Sequence, residues 1–511
     1  MNNSKKAGVI IAYAALISQT IFNVIFTPIL IRSLGVAEYG LYQIVHSFAG
    51  YLIILNFGTG LIVTRYVSKF RAEKNHEKQA NFLALSIGVT FLLFILVLAI
   101  GAVAYFGIDN LFEKSLSKIE ISKAKILYII TVLNIGFSLF YNCIYGVLLG
   151  YEKFGVSNST KMSRVLLKYL LLTILLLIGL KSIAIVISDL VVTIFLIMWI
   201  IRYAFKQLKI EIKFQYFDKK MILLITSFSL SVFLQAIVNQ VNLNIDRVVL
   251  GVMTNTTIVA TYSISLVIYT MFNSITGILG EFFLPRASQM VASNAPKEQF
   301  TDLIIKPGRL QYMLGGGAVV GYILFGKELL NIWVGNRFTG AYFPTVILIV
   351  PALIPLIENA SRAVLNARMK RLVPSVMLIF ASIIKIILTI VFVKKLGYLG
   401  AAIATAISIF LGDIIMVNIY LRNYIGINIA RMFKEIFRGT TWCLIITSII
   451  MLPIKFLIRD TVSIVLIKCA IFIAIYLPLL YIFSANEDER RLIDRMLKSI
   501  KRKYNFYKRL A

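Results

Sequence analysis

Histidine, cysteine and acidic side chains are all scarce in this chain. Two histidines, three cysteines and 23 Asp or Glu stand against 53 Lys and Arg in 511 residues. Cys143, Cys443 and Cys469 each lie inside an apolar run, which excludes a disulfide framework or a cysteine metal site. They read as small packing residues. No Asp-x-Asp pair and no P-loop occurs, so metal-dependent sugar transfer and ATP hydrolysis are not expected of this chain. Long polar segments are missing too: the longest expected cytoplasmic loop, 285–309, has only 25 residues, too few for a soluble domain. The first apolar run is too long for a secretory signal and no cleavage site follows it, so it reads as a mature span. An enzyme, a metal site and a cofactor are therefore not expected.

Apolar residues dominate. They make up 59% of the chain, charged residues only 15%, and mean hydropathy is +0.86, which leaves too little polar surface for a soluble protein of this length. Fourteen apolar stretches match the length needed to cross a hydrocarbon core about 30 Å thick. They fall near 8–31, 40–63, 81–106, 124–149, 165–180, 182–201, 221–246, 256–284, 310–326, 341–361, 372–393, 398–421, 439–458 and 462–483. With the amino terminus inside, the inner segments hold 37 of the 53 Lys and Arg. That bias is the positive-inside rule, and it places both termini in the cytoplasm. The net charge of +30 is thereby topological, and nucleic-acid binding is not expected.

The first twelve spans form two similarly patterned sets of six. Val36-Ala37-Glu38-Tyr39 recurs as Val259-Ala260-Thr261-Tyr262 at a displacement of 223, which also carries Gln19 onto Asn242 and Asn23 onto Asp246. A displacement of 217 carries Val147-Leu148 onto Val364-Leu365 and Lys168 onto Lys385. An even number of spans per set makes these parallel repeats, a transporter arrangement with its substrate site between the sets. The expected organisation is a six-helix lobe at 1–204, a second at 205–424, two accessory helices at 425–483 and a basic tail at 484–511.

Polar residues inside the spans mark candidate site positions. In the seventh span Ser231, Gln235, Asn239, Asn242 and Asp246 are spaced 4, 4, 3 and 4, so they share one helical face. Lipid exposure of that face would leave hydrogen bonds unmet. It either glues helices together or walls a cavity for a polyhydroxylated head group. The first span offers Gln19 and Asn23, then a Thr27-Pro28 break and Arg32. Lys168 and Lys385 are more telling, because a lysine at mid-span costs roughly 2.5–3.5 kcal/mol on insertion scales. Their candidate partners are Asp189, Asp246, Glu281, Glu358 and Asp413. Such pairs either lock helices or let the lysines offer positive charge to a phosphate; recurrence in both sets favours the phosphate. Lys468 stands outside the repeat, and His46 reads as a packed residue.

These residues resemble a known family. The run PILIRSLGVAEYGLYQIVHSFAGYLIILNFGTGLIVTRYV (28–67) is similar to the opening signature of polysaccharide flippases of the multidrug/oligosaccharidyl-lipid/polysaccharide exporter superfamily. NLNIDRVVLG (242–251) and LGYLGAAIATAIS (396–408) resemble its second-lobe opening and its Gly-x-x-Gly-Ala-Ala signature. The resemblance covers essentially the whole chain. It implies an all-α integral membrane protein: a MATE-like transporter of two six-helix lobes plus two accessory helices. The implied activity is alternating-access transfer of an undecaprenyl-diphosphate-linked oligosaccharide to the outer leaflet of the bacterial cytoplasmic membrane. Implied partners are that substrate, membrane lipids, and the polymerase and glycosyltransferases of the same pathway. The resemblance leaves the coupling ion open between H+ and Na+. Related lipid II flippases carry arginines on the first-span face, where this chain has Gln19 and Asn23. That departure favours a capsule or O-antigen unit over lipid II; a cation-coupled small-molecule exporter is the other alternative.

In the tail, Ser484-x-x-Glu487 reads as a capping box, and the apolar face Leu492, Ile493, Met496, Leu497, Ile500 and Tyr504 as an interfacial helix on the anionic inner leaflet. If Lys385 binds diphosphate, Lys385→Ala abolishes export of the repeat unit, read in a transport assay, while the protein still inserts.

Overall fold

The computed structural model describes residues 3–216, 219–277, 284–293, 295–368, 372–457, 462–487, 489–491 and 494. Glu281, the Ser231 side chain and nearly all of the expected tail helix lie outside that description. The described α-helices are α1 (Asn3–Leu34), α2 (Val36–Gly50), α3 (Thr59–Ala72), α4 (His76–Phe112), α5 (Lys118–Gly150), α6 (Phe154–Leu177), α7 (Lys181–Lys206), α8 (Lys219–Met253) and α9 (Thr256–Gly277). They continue with α10 (Leu284–Ala292), α11 (Lys297–Trp333), α12 (Tyr342–Ile357), α13 (Asn359–Ala367), α14 (Leu372–Leu396) and α15 (Tyr398–Ile409). The series ends with α16 (Val417–Tyr420), α17 (Ile429–Phe437), α18 (Thr440–Leu457) and α19 (Val462–Leu479). Among the described residues there is no strand. Helices are the form in which a chain in lipid satisfies every backbone group within one segment.

Eleven helical stretches among the described residues are long and apolar enough to cross a membrane. The remaining three expected spans coincide with α1, α6 and α8, helices of 32, 24 and 35 residues. Charge dilutes the apolar run of α6 at Lys161, Arg164 and Lys168.

Hydropathy misplaces three boundaries. The expected second span, 40–63, is broken: α2 stops at Gly50, a 3-10 turn covers Tyr51–Asn56, and α3 starts at Thr59. Phe57 and Gly58 both take left-handed backbone there, at φ 46° and 68°, and Gly58 does so without a Cβ clash. The ninth span starts much earlier than expected, because α11 runs 37 residues from Lys297 and so includes Arg309. The tenth ends earlier, and Glu358 sits at the break between α12 and α13.

By internal contacts the chain forms two compact units, Met1–Leu266 with Ser375–Ser408, and Val267–Pro374 with Ile409–Ala511. In the first unit α3 and α5 cross backbone to backbone. A Cβ on Gly60 would come within 2.7 Å of the Asn142 carbonyl oxygen, and one on Gly146 would collide with the Gly60 carbonyl. Thr64 then donates to the Gly146 carbonyl at 3.1 Å and Arg71 to the Gly150 carbonyl at 3.0 Å. Small residues of this kind let membrane helices approach closely. Cys143 packs in the adjoining core with Val63, Val67 and Phe82.

In the second unit Arg309 is buried. Its Nε and Nη2 donate to the two Glu489 oxygens at 2.8 and 3.1 Å, and Nη1 and Nη2 donate to the Glu435 and Ser484 carbonyls at 2.7 and 2.6 Å. Glu489 also closes a capping box with Asn486, at 2.8 and 2.9 Å. The box therefore lies two residues beyond the expected Ser484 and Glu487, because Ser484 is buried against Thr440 at 2.6 Å. Gly146→Leu tests the α3–α5 crossing. Overpacking there is expected to cost about 1–3 kcal/mol, read as a lower unfolding temperature in detergent, whereas Gly155→Ala, with no neighbour to meet, leaves it unchanged.

Candidate functional site

A cavity of about 200 Å³ opens inside the first unit, lined from α2, the turn after it, α5, α6 and α7. The α2 break positions part of it, since Gly50, Ile53 and Asn56 reach the wall. From α5, one helical face supplies Thr131, Asn134, Ser138 and Asn142. Arg164 enters from α6 and Asp189 from α7. Amides and hydroxyls, which both donate and accept, sit beside one cation and one anion. Lys168, one turn beyond Arg164, holds Asp189 through both oxygens at 2.8 and 2.9 Å. The pair is partly exposed, at 28% and 20% for the two side chains, so it is not sealed.

Lys385 sits in a different setting. Its ammonium lies 3.1 Å from Asp246 and donates to the Asn242 carbonyl at 2.8 Å, with both side chains of the ion pair at 0% exposure. Asp246 is saturated: Tyr262 and Thr405 donate to Oδ2 at 2.8 and 2.9 Å, and Thr389 donates to Oδ1 at 3.3 Å. So Lys168 and Lys385, matched in sequence, differ in place. One flanks the cavity and the other is enclosed in a dry cage. The counter-ion has also moved: Lys168 takes its acid from α7, whereas Lys385 takes it from α8, where the first repeat has neutral Asn23. That Asn23 accepts a hydrogen bond from Tyr169 at 2.6 Å.

The other expected site residues are dispersed. Gln19, Asn23 and Arg32 are exposed on α1, and on α8 Asn239 is exposed while Gln235 and Asn242 are half-buried. None of the six lines the cavity. The expected acidic partners resolve differently. Asp189 and Asp246 hold the two lysines, but Glu358 accepts from Asn418 Nδ2 at 2.8 Å and Asp413 pairs with Arg362 at 3.2 Å, both in the second unit.

Three residues at or beside the cavity escape the sequence reading. Arg164 was assigned to a cytoplasmic loop ending at residue 164, although its spacing from Lys161 and Lys168 already puts all three on one helical face. Arg247 follows Asp246 and points the other way, donating to Gln43 at 3.3 Å and Ser47 at 3.0 Å on α2. With Gln240 and Asn244 it forms a second polar face of α8, hidden by attention to the first. His46 is not packed away: it is exposed on the cavity wall and stacks on Tyr42 at 5.5 Å.

The family profile described as "Polysaccharide biosynthesis protein" matches residues 6–291. No curated protein matches the sequence. Among solved structures, a lipid II flippase MurJ in an inward closed conformation is 20% identical, with a TM-score of 0.73 over 95% of this chain and 99% of that one. An inward-facing multidrug resistance MATE family transporter of the MOP superfamily is 15% identical, with a TM-score of 0.62 over 83% and 99%. A MATE transporter from Vibrio cholerae is 13% identical, with a TM-score of 0.55 over 82% and 98%. At these identities the likeness is one of fold, and it makes this an all-α, MATE-like, multi-pass membrane protein.

The cage around Lys385 changes what its removal should do. Lys385→Met leaves Asp246 buried and unpaired, a loss expected to cost about 3–5 kcal/mol. The double variant Lys385→Met/Asp246→Asn should regain most of the lost unfolding temperature in detergent.

Proposed function

Since the chain belongs to the polysaccharide biosynthesis protein family, we propose that it is a flippase for a lipid-linked oligosaccharide. It moves an undecaprenyl-diphosphate-linked repeat unit, of a capsule or O-antigen, from the inner to the outer leaflet. The observation that carries this reading is a charged, amide-lined cavity inside an otherwise apolar helical chain. Placing Arg164, Asp189 and a row of amides among the helices of a membrane protein is costly unless they serve a polar ligand. Lys168 at the cavity edge holds charge for the diphosphate, and the amides and hydroxyls of α5 receive sugar hydroxyls. The lipid tail stays in the bilayer throughout.

The two six-helix sets, 1–204 and 205–424, alternate access to this polar interior, driven by an H+ or Na+ gradient or by the substrate gradient alone. Both termini lie in the cytoplasm of a bacterium, where the excess of inner Lys and Arg supports them. Lys385 contributes from its cage as a structural cation, reaching substrate only if Asp246 releases it. The polymerase and glycosyltransferases of the pathway are the natural neighbours of such a protein.

Proteoliposomes loaded with a labelled lipid-linked oligosaccharide test the reading. Purified protein should carry the label to the enzyme-accessible leaflet, and Lys168→Ala should slow that movement several-fold without changing protein yield. Efflux of a cationic dye with no lipid movement would instead identify a small-molecule exporter, and movement of lipid II alone would identify that substrate.

A further inference from the structure

Arg164 makes no ion pair among the described residues. Its Nη2 donates to Thr193 Oγ1 at 3.2 Å, and its guanidinium carbon lies 4.8 Å from the centre of the Tyr141 ring. The acid on the same cavity wall, Asp189, is held through both oxygens by Lys168. A guanidinium carries five donors in a planar fork, so one hydroxyl and one ring face leave most of them unused. The cavity therefore presents a net positive charge to whatever enters it. On the α5 wall, the Oδ1 of Asn134 is buried without a hydrogen-bond partner, an acceptor waiting for a donor.

We infer that Arg164 anchors a phosphate-bearing ligand in this cavity, while Asn134 accepts from a hydroxyl next to that phosphate. The planar fork of Arg164 matches two phosphate oxygens at once, and its seat over the Tyr141 ring holds the guanidinium in place in advance. Size narrows the ligand further. About 200 Å³ falls below the ~300 Å³ where drug-sized sites begin, so the cavity takes the phosphate end of a lipid-linked sugar and not a whole oligosaccharide. This inference rests on the flippase reading for the identity of the carrier, not for the chemistry of the site.

Two measurements test it. In the unaltered protein, phenylglyoxal should modify Arg164, read by mass spectrometry of its peptide, and inorganic pyrophosphate should protect it. Farnesyl diphosphate should protect at lower concentration than pyrophosphate, whereas farnesol and phosphatidylglycerol vesicles should not. In binding titrations, Arg164→Gln should weaken farnesyl diphosphate by about tenfold or more, the loss expected for a charged hydrogen bond, and Arg164→Lys should recover part of it. Modification of Arg164 at the same rate with and without pyrophosphate would overturn the inference. So would equal protection by phosphatidylglycerol, which would make this a site for bulk lipid head groups. Both are binding readouts, so intact protection with no transport in proteoliposomes would sink the flippase reading alone.

Discussion

A charge inside a chain surrounded by hydrocarbon must find a partner or leave, and this structure is arranged around that demand. Asp246 is the extreme case, enclosed with Lys385 and three hydroxyls at zero exposure. Arg309 is another, gripped by Glu489 and two carbonyls in the second unit. A buried ion pair rarely stabilises more than a well-packed apolar patch of the same volume would, but removing one partner is severe. These pairs act mainly as fixed points that set which helices meet and in what register. Against that background Arg164, which makes no ion pair among the described residues, stands out.

Much of this was legible from the sequence because lipid imposes a coarse rule that hydropathy reads well. Helical architecture follows from residues that cannot face acyl chains, and Asp189 and Asp246, which hold Lys168 and Lys385, stand among the five acids expected as their partners. What stayed hidden was finer than hydropathy can resolve. The break in α2 depends on two left-handed residues, Phe57 and Gly58, in an apolar run that looks continuous. Arg164 falls one residue before the expected fifth span, 165–180, because the apolar run starts there although the helix already begins at Phe154. The three hydroxyls on Asp246 come from α9, α14 and α15, helices whose juxtaposition no spacing rule supplies.

The two repeats have divided their labour. Each keeps a lysine at the same position, yet the acid it meets comes from a different helix in each. In the first repeat the Lys168–Asp189 pair is partly exposed beside a polar cavity. In the second the pair is dry and saturated, and competition would require the cage to open.

The grip of Arg309 on Glu489 has a practical consequence for anyone shortening or tagging this protein. A chain cut before residue 489 would strand the guanidinium without its anion and release the Asn486 turn that begins the carboxyl-terminal extension. Deletions meant to probe that extension should therefore start beyond Asp494, so that a lost phenotype reports on the removed segment and not on a collapsed anchor.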